Sequence, residues 1–293
     1  MLEITNAQRA EVLTQALPYI QKYNGKIVVV KYGGNAMIND ELKQQVMEDV
    51  VLLHLIGVKV VLVHGGGPEM TETLKKIGKE SVFCDGLRVT DKETAEVALM
   101  VLAGKINKNL VNLLQAKGGK AIGISGIDGH MIDCEMKDEK LGYVGKIKKV
   151  DVSPVTDLLE QGYIPVVSTV GCDKKGNVYN INADTAAAHI AGEMKASRLI
   201  TLTDIAGIMK NKDDAESLIR KVDLNDIEDL IAQGVITGGM IPKVECCIDA
   251  IKCGVHKVII LDGRVPHAIL IETLTDEGAG TMVVSDLKKN AGF

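Results

Sequence analysis

Short apolar runs alternate along the chain with longer stretches whose hydrophobic positions recur at helical spacing. Because most of these runs are apolar at successive positions, they predict strands that are covered on both faces, as in a parallel sheet. The predicted strands are Lys26–Lys31, Lys59–Val63, Ala121–Ile124, Ile164–Val167, Arg198–Leu202 and Lys257–Leu261. The predicted helices are Asp40–Ile56 (which Asn39 or Asp40 can cap and Gly57 can end), Lys92–Gln115, Ala183–Met194 and Ile241–Cys253. This alternation predicts an α/β fold, a three-layer αβα sandwich with a central, mostly parallel sheet.

Two kinds of segment interrupt the alternation. Val82–Val89 and Met131–Lys149 combine short strand-like pieces with glycines, which predicts β-hairpins inserted as a lid over a ligand. Ahead of the first strand, Ala7–Tyr23 has the spacing of an amphipathic helix interrupted at Pro18, because proline removes a backbone donor and bends a helix. A change of character near Gly192 divides the remainder, so the predicted segments are 1–24, 25–192 and 193–293.

Composition excludes several classes of protein. The 293 residues carry a net charge of −5 and include no Trp and two Phe, which argues against a general nucleic-acid-binding surface. Met1–Ala10 lacks the apolar core of a secretory signal, and no apolar run reaches the ~18 residues of a membrane helix. The six cysteines are scattered and form no C-x-x-C pair, which is typical of reduced thiols. We therefore expect a cytoplasmic protein without a membrane or nucleic-acid partner.

Glycine-rich turns follow the first two predicted strands. Lys31–Ala36 reads KYGGNA and His64–Pro68 reads HGGGP, so both lie at the carboxyl ends of strands, where open α/β sheets bind ligands. Glycine lets backbone N–H groups approach phosphate oxygens, although a single Gly-Gly is more often only a tight turn. No P-loop motif occurs, and no G-x-G-x-x-G follows a strand. Gly123–Gly126 misses the G-x-S-x-G motif by one residue, which argues against a serine hydrolase.

Four later motifs complete a family pattern. They are Gly86–Thr90 (GLRVT), Tyr179–Asp184 (YNINAD), Leu202–Gly207 (LTDIAG) and Gly238–Lys243 (GGMIPK). With the glycine turns, they resemble the amino-acid-kinase family from Val30 to Lys243, and in particular those members that phosphorylate N-acetyl-L-glutamate for arginine biosynthesis. The resemblance implies phosphoryl transfer from ATP, whose phosphates carry Mg²⁺, to the side-chain carboxylate of that substrate. No general base is required, because such a carboxylate, with a pKa of ~4.3, is already ionised at neutral pH.

The resemblance also assigns roles to individual residues. The catalytic set is Lys31, Lys243 and Asp184, with Asp184 between the two ammonium groups; the substrate-binding set is Gly66, Gly67, Arg88, Asn180 and Asn182; the ATP-binding set is Gly33, Gly34, Gly65, Thr203, Asp204 and Gly207. Simpler interpretations exist: Arg88 as a surface ion pair, Asp184 as a helix N-cap, Lys243 as a solvated side chain and Thr203–Gly207 as a strand-end loop. No protein ligands for a metal are predicted, and His64 is expected to make only a turn hydrogen bond.

Regulation and competing functions remain as hypotheses. The resemblance implies that residues 1–24 link dimers into a hexamer, that 25–192 binds the acyl-amino acid and that 193–293 binds ATP. It further implies that His267, Glu272 and Gly278 bind L-arginine as an inhibitor; a solvated acidic residue before a glycine turn is the alternative. Competing functions are a kinase for glutamate, aspartate or carbamate, or a non-catalytic metabolite sensor. Arg88 and Asn180 argue against the other kinases, whereas the two lysines and Asp184 argue against a sensor.

Overall fold

The computed structural model describes residues 5–37, 39–211 and 214–285. The α-helices are α1 (Asn6–Gln15), α2 (Leu17–Tyr23), α3 (Asp40–Leu55), α4 (Gly67–Lys76), α5 (Lys92–Ala98), α6 (Asn107–Ala116), α7 (Ser153–Glu160), α8 (Ala183–Glu193), α9 (Ile227–Ala232), α10 (Met240–Lys252) and α11 (Ala268–Leu274). The strands are β1 (Ile27–Tyr32), β2 (Lys59–His64), β3 (Phe83–Cys84), β4 (Leu87–Arg88), β5 (Ala121–Ser125), β6 (Ile132–Met136), β7 (Gly145–Val150), β8 (Ile164–Ser168), β9 (Val170–Cys172), β10 (Val178–Asn180), β11 (Arg198–Thr203), β12 (Lys221–Asp223), β13 (Lys257–Asp262) and β14 (Thr281–Val284). The outermost ends of the predicted segments 1–24 and 193–293 lie outside the described residues.

An eight-stranded sheet forms the centre of the molecule, in the order β12-β14-β13-β11-β1-β2-β8-β5. All neighbouring pairs are parallel except β13 and β14. The six strands predicted from the sequence are all present in this sheet. Strands from 25–192 make one half of it and strands from 193–293 the other, meeting where β1 pairs with β11. This arrangement fits the proposed division into two lobes, which stays a prediction.

Helices cover both faces of the sheet, as the unbroken apolar strands require. Along β1, Val28 and Val30 pack into one hydrophobic cluster with α3, α5, α6 and α11, whereas Val29 packs into the opposite cluster with α7, α8 and α10. Side chains of β1 therefore alternate between two separate hydrophobic cores, one on each face of the sheet. The predicted three-layer αβα sandwich is confirmed.

Both predicted hairpins are present. β3 and β4 form a two-stranded ribbon, and β6 and β7 pair within a four-stranded sheet that also contains β9 and β10. The N-terminal helix is interrupted as predicted, but the break falls at Ala16, because Pro18 is tolerated in the first turn of α2. No residue of α1 is buried, whereas Tyr23 of α2 packs in the core.

The segment 92–116 is one long helix containing a π-helical stretch, Leu99–Ile106, between α5 and α6. By length and composition alone, Lys92–Ala116 is apolar enough to cross a membrane. Its buried side chains, including Val97, Leu110 and Leu114, pack in the core beside the sheet, which accounts for its hydropathy. The π-helical stretch shifts the side chains that follow it, and such stretches occur often at functional sites.

Candidate active site

A cavity of about 270 Å³ lies at the carboxyl ends of β1 and β2. Both glycine turns, the β3–β4 hairpin and the segment that leads into α8 contribute to its wall. The predicted site residues that line it are Lys31, Gly33, Gly34, Gly65, Gly66, Gly67, Arg88, Asn180, Asn182 and Asp184. Residues distant in sequence are therefore brought together as predicted, at the edge of a parallel sheet where the strands end.

Lys31 and Asp184 form an ion pair in this cavity, with 2.9 Å between Nζ and Oδ1. Lys31 is the penultimate residue of β1, and Asp184 lies in the first turn of α8. Asn182 caps α8, since its side-chain oxygen accepts from the N–H groups of Asp184 and Thr185 at 3.0 Å each. The alternative role of Asp184 as the N-cap is therefore wrong, and its carboxylate holds the Lys31 ammonium instead.

The first glycine turn is shaped by its contact with Lys31. A Cβ atom at Gly33 would lie 3.1 Å from Lys31 Nζ, so a side chain there would crowd the ammonium group. Gly34 has a φ of 68°, a conformation that costs glycine little and other residues more. The glycines of this turn thus leave space around the Lys31 ammonium at the end of β1.

Arg88 brings a second positive charge to the cavity from β4, although only 7% of the residue is exposed. Its Nη2 atom donates to the Gly67 carbonyl at 3.0 Å and to Thr71 Oγ1 at 2.8 Å, and its Nη1 atom donates to Ser81 Oγ. The guanidinium also lies over the ring of Phe83. Burial lowers the pKa of Arg88, and no carboxylate of the described residues pairs with it. The surface ion pair considered for Arg88 is therefore wrong.

Asn180 and Asn182 both line the cavity, and Ile181 between them is buried. Because Ile181 also lines the cavity, the alternation that would make the two amides face the same way stays a prediction. Asn180 Nδ2 lies 3.5 Å from Thr90 Oγ1, a weak contact that leaves the amide available to a ligand. The Asn182 oxygen is occupied by the α8 cap, so its amide nitrogen is the group that can reach a ligand.

Lys243, Thr203 and Asp204 form a second cluster, at the carboxyl end of β11 and outside the cavity. Lys243 Nζ lies 3.2 Å from Asp204 Oδ1 and also donates to Thr203 Oγ1. Burial raises the pKa of Asp204, but the hydrogen bond and charge of Lys243 outweigh it and leave the pKa below its ordinary value. Within the described chain, Asp184 pairs with Lys31 and not with Lys243, so the placement of Asp184 between both ammonium groups is not observed. The reason is that Lys243, in the first turn of α10, reaches the end of β11 instead.

Gly207 follows this cluster but does not line the cavity. It has a φ of 137°, and a Cβ atom there would lie 2.5 Å from Thr281 Oγ1. Thr281 Oγ1 also accepts from the N–H of Ile208 at 2.9 Å. Packing of this loop on β14 is therefore sufficient to explain the glycine. Its predicted contact with ATP stays a prediction.

Two of the three residues predicted to bind L-arginine lie in a separate cavity of about 260 Å³ between α2, α11 and β14. Glu272 Oε2 accepts from the N–H of Ala279 at 2.8 Å beside Gly278, and Glu272 Oε1 lies 4.0 Å from Arg198 Nη1. Burial and the charge of Arg198 lower the pKa values of Lys22 and Lys257, which also line this cavity. The cavity thus places the Glu272 carboxylate beside closely spaced cationic side chains.

His267 is not part of that cavity, which corrects its assignment. It precedes α11 in a left-handed conformation, with a φ of 56°, and directs its ring towards α3. There Nδ1 lies 2.6 Å from Oδ1 of the buried Asp49. The family resemblance grouped His267 with Glu272, but the backbone conformation before α11 turns the His267 side chain away.

One polar network beneath the cavity was not predicted. The sequence suggested only a turn hydrogen bond for His64, and the structure contains that bond, to the Gly65 carbonyl at 2.9 Å. It also places Asn107 Nδ2 3.1 Å from His64 Nε2. The available signal was an asparagine within the predicted helix Lys92–Gln115, but a single buried amide has many possible partners.

The chain is similar over nearly its whole length to known proteins of one family. The sequence matches the Amino acid kinase family over residues 26–262. It is 56% identical over 288 residues to the acetylglutamate kinase of Brachyspira hyodysenteriae, covering 98% of this chain and 100% of that protein. The chain belongs to the acetylglutamate kinases of the amino acid kinase family. The acetylglutamate kinase of Clostridioides difficile is 53% identical, covering 95% of this chain and 98% of that protein.

Solved structures of proteins with lower sequence identity share the fold. The N-acetylglutamate synthase of Neisseria gonorrhoeae, complexed with coenzyme A and N-acetyl-glutamate, matches with a TM-score of 0.81 at 23% identity. The match covers 94% of this chain and 63% of the synthase, so this acetylglutamate kinase chain spans less than two thirds of that protein. The carbamate kinase of Giardia lamblia, bound to AMP-PNP, has a TM-score of 0.63 at 19% identity, covering 89% of this chain and 99% of that chain.

These findings confirm the family and the kind of enzyme that the motifs indicated. Membership of a kinase family also carries the use of ATP. The identity of 53–56% to acetylglutamate kinases over nearly the whole chain disfavours the competing kinases for glutamate, aspartate and carbamate. The roles of individual residues stay predictions, for which the cavity geometry supplies the physical argument.

Proposed function

We propose that the chain transfers the terminal phosphoryl group of ATP to the side-chain carboxylate of N-acetyl-L-glutamate. The observation that carries this proposal is Arg88, a buried cation in the cavity without a carboxylate partner among the described residues. Leaving such a charge unpaired is costly, so the site is built for an anionic ligand. Its planar guanidinium can hold the substrate's α-carboxylate through two hydrogen bonds.

The other lining residues suit the rest of the substrate. The amides of Asn180 and Asn182 can pair with the acetamido group, and Lys31 lines the same cavity. With the α-carboxylate on Arg88, the side-chain carboxylate is proposed to approach Lys31. Because that carboxylate is ionised at neutral pH, the protein needs to position it and neutralise charge, and no proton has to be removed.

The nucleotide is proposed to bind over the carboxyl end of β11. Thr203, Asp204 and Lys243 lie there, beside the end of β1 that carries Lys31. Lys31 then contacts the transferred phosphoryl group from the substrate side, and Lys243 contacts it from the nucleotide side after leaving Asp204. Mg²⁺ is carried by the ATP phosphates, in keeping with its preference for few protein ligands.

The reaction is tested by incubating the protein with MgATP and N-acetyl-L-glutamate and trapping the acyl phosphate with hydroxylamine. Parallel reactions contain L-glutamate, L-aspartate or carbamate. Turnover with N-acetyl-L-glutamate alone supports the proposal, and preferential turnover with another acceptor contradicts it. A folded protein that binds ATP but forms no product with any acceptor would instead indicate a metabolite sensor.

We further propose that L-arginine inhibits the enzyme from the cavity that contains Glu272 and Gly278. Glu272 can hold the guanidinium, while Lys22, Lys257 and Arg198 can hold the carboxylate. The exposed Val12, Leu13 and Leu17 suit the predicted role of residues 1–24 in joining dimers into a hexamer. Inhibition by L-arginine that Glu272→Gln weakens supports the site. A wild-type enzyme that sediments as a dimer and is not inhibited by L-arginine contradicts both the regulatory site and the hexamer. A cytoplasmic location stays a prediction of the sequence.

A further inference from the structure

His64 ends β2 directly beneath the second glycine turn, and it is completely buried. One ring nitrogen, Nδ1, lies 2.9 Å from the Gly65 carbonyl oxygen, and the other, Nε2, lies 3.1 Å from Asn107 Nδ2. Burial lowers the pKa of His64 to about 4, so the ring is neutral at physiological pH. A neutral ring carries one proton, and its position decides which nitrogen donates.

The neighbours of Asn107 fix that position. Lys108 Nζ can only donate, and it lies 3.1 Å from Asn107 Oδ1 and 2.8 Å from the Gly123 carbonyl. The other end of the amide is therefore the NH₂ group, which also lies 2.9 Å from the Val166 carbonyl and 3.3 Å from that of Ile124. Since Asn107 donates to Nε2, the His64 proton is on Nδ1 and points at Gly65.

The bond from His64 to Gly65 determines where the next backbone N–H points. None of the described peptide bonds is cis, so the Gly66 N–H is antiparallel to the Gly65 carbonyl and points away from His64. No described residue accepts a hydrogen bond from the Gly66 N–H, and Gly66 lines the cavity beside Lys31. An N–H group in this position is suited to an anionic oxygen.

The long helix 92–116 also contacts the second glycine turn. A Cβ atom at Gly66 would lie 2.2 Å from Ile106 Cδ1 and 2.6 Å from Leu102 Cδ2, so this glycine packs directly on the π-helical stretch. Gly123 supplies room for Asn107 on the other side, because a Cβ atom there would lie 1.9 Å from Asn107 Oδ1. The helix thus fixes the turn by side-chain packing and by the Asn107–His64 hydrogen bond.

We propose that His64 and Asn107 are positioning residues for phosphoryl transfer, which orient the Gly65–Gly66 peptide so that the Gly66 N–H faces the migrating phosphoryl group. This inference rests on the proposed function. It assigns neither side chain a contact with substrate. Their contribution is preorganisation, because a donor held in place before the reaction stabilises developing charge without having to reorient.

The first test replaces Asn107 with leucine, which has a similar shape but no donor. Asn109→Leu is the matched control, since Asn109 is exposed on the same helix. We expect kcat of Asn107→Leu to fall about 10- to 100-fold, the scale of a small misplacement at a reacting centre. The KM for N-acetyl-L-glutamate should change less than about threefold, because Arg88 binding is untouched. Unchanged kcat, or an equal loss in Asn109→Leu, overturns the proposal.

The second test compares His64→Asn with His64→Gln. An asparagine amide nitrogen lies at the same bond separation from Cβ as Nδ1 of histidine, and a glutamine amide nitrogen at the same separation as Nε2. His64→Asn can therefore still donate to Gly65, and we expect it to keep at least about tenfold more of kcat than His64→Gln, a difference of about one hydrogen bond. Equal kcat values in the two variants, with both folded, overturn the proposal.

A third measurement uses only the wild-type enzyme, so its result does not depend on whether the variants fold. In ¹⁵N-labelled wild-type enzyme, long-range ¹H–¹⁵N correlation spectra should show His64 protonated on Nδ1 and unprotonated on Nε2. Protonation on Nε2 overturns the proposal whatever the variants do. The wild-type trapping assay is run beforehand, so failure of the proposed reaction is distinguished from failure of this inference.

Discussion

Oδ1 of Asp49 lies 2.6 Å from Nδ1 of His267, where α3 passes the start of α11. Only 1% of Asp49 is exposed. Burial raises the pKa of Asp49 to about 6; the charge of Glu48 also raises it, whereas His267 and the Leu270 N–H oppose the rise. The folded protein therefore binds a proton at Asp49 more tightly than the unfolded chain, whose aspartates titrate at the ordinary value of 3.8.

This pair predicts a specific pH dependence of stability. Between about pH 4 and pH 6 the unfolded state has lost the Asp49 proton while the folded state keeps it, so the Asp49 contribution to stability decreases as pH rises. We expect the free energy of unfolding of the wild type to fall by about 2 kcal/mol relative to Asp49→Asn across this window. Urea unfolding at several pH values measures the difference. Asp40→Asn, an exposed change at the start of α3, should leave the slope in place. A slope that persists in Asp49→Asn would contradict the assignment.

The ion pair of Lys31 with Asp184 predicts how the chemical step depends on charge. Lys31→Met keeps the length of the side chain but removes the ammonium group, so we expect kcat to fall about 10²- to 10³-fold. Binding of ATP, measured by calorimetry, should weaken much less, because Thr203, Asp204 and Lys243 lie outside this cavity. Lys26→Met, an exposed change just before the same strand, is the matched control and should retain wild-type kcat. Comparable kcat values for the Lys31 and Lys26 variants would remove Lys31 from the mechanism.

Arg88 predicts a change in substrate affinity. Lysine keeps the charge but loses the planar fork, the stacking on Phe83 and the simultaneous contacts with Ser81, Thr71 and Gly67. For Arg88→Lys we expect KM for N-acetyl-L-glutamate to rise about 10- to 100-fold, which corresponds to the loss of one or two charge-assisted hydrogen bonds. Steady-state kinetics measure it, with Arg9→Lys on the exposed α1 as the control. A variant with unchanged KM would show that Arg88 is structural.

Much of the fold followed from the sequence because the strands are buried on both faces. Runs such as Lys59–Val63 have only one stable environment, the middle of a layered sheet, so their pattern identified them directly. The glycine turns were equally predictable, because their positions after β1 and β2 place them at one edge of the sheet. Lys31 and Asp184 therefore came together as expected, although the sequence alone could not give their distance.

The missed features depend on conformations that sequence spacing does not report. His267 was placed near Glu272, but its left-handed backbone turns the ring towards Asp49. Lys243 was expected on Asp184, but the start of α10 directs it to Asp204. Asn107 follows a π-helical stretch, which rotates every later side chain relative to a regular helix, so its contact with His64 required the actual backbone.

The packing of Gly66 predicts a substitution that lowers both activity and stability. In Gly66→Ala the new methyl group meets Ile106 Cδ1 and Leu102 Cδ2. Both are the ends of flexible side chains, which can move at a cost of about 1–3 kcal/mol in the free energy of unfolding. The glycine turn must shift as well. A shift of about 1 Å in the position of the Gly66 N–H should lower kcat about 10- to 100-fold.

Gly104→Ala is the matched control for this change. Gly104 is exposed in the same π-helical stretch, and apart from its chain neighbours and the adjacent helix backbone no atom lies within 4 Å of the added methyl group. Because glycine within a helix is less stable than alanine, this variant should gain about 0.5–1 kcal/mol in stability and keep the wild-type kcat. Thermal unfolding and the hydroxylamine assay, run side by side on both variants, separate the two effects. If Gly66→Ala lost stability but kept kcat, the second glycine turn would serve the fold alone, and the phosphoryl-binding role of its backbone would be wrong.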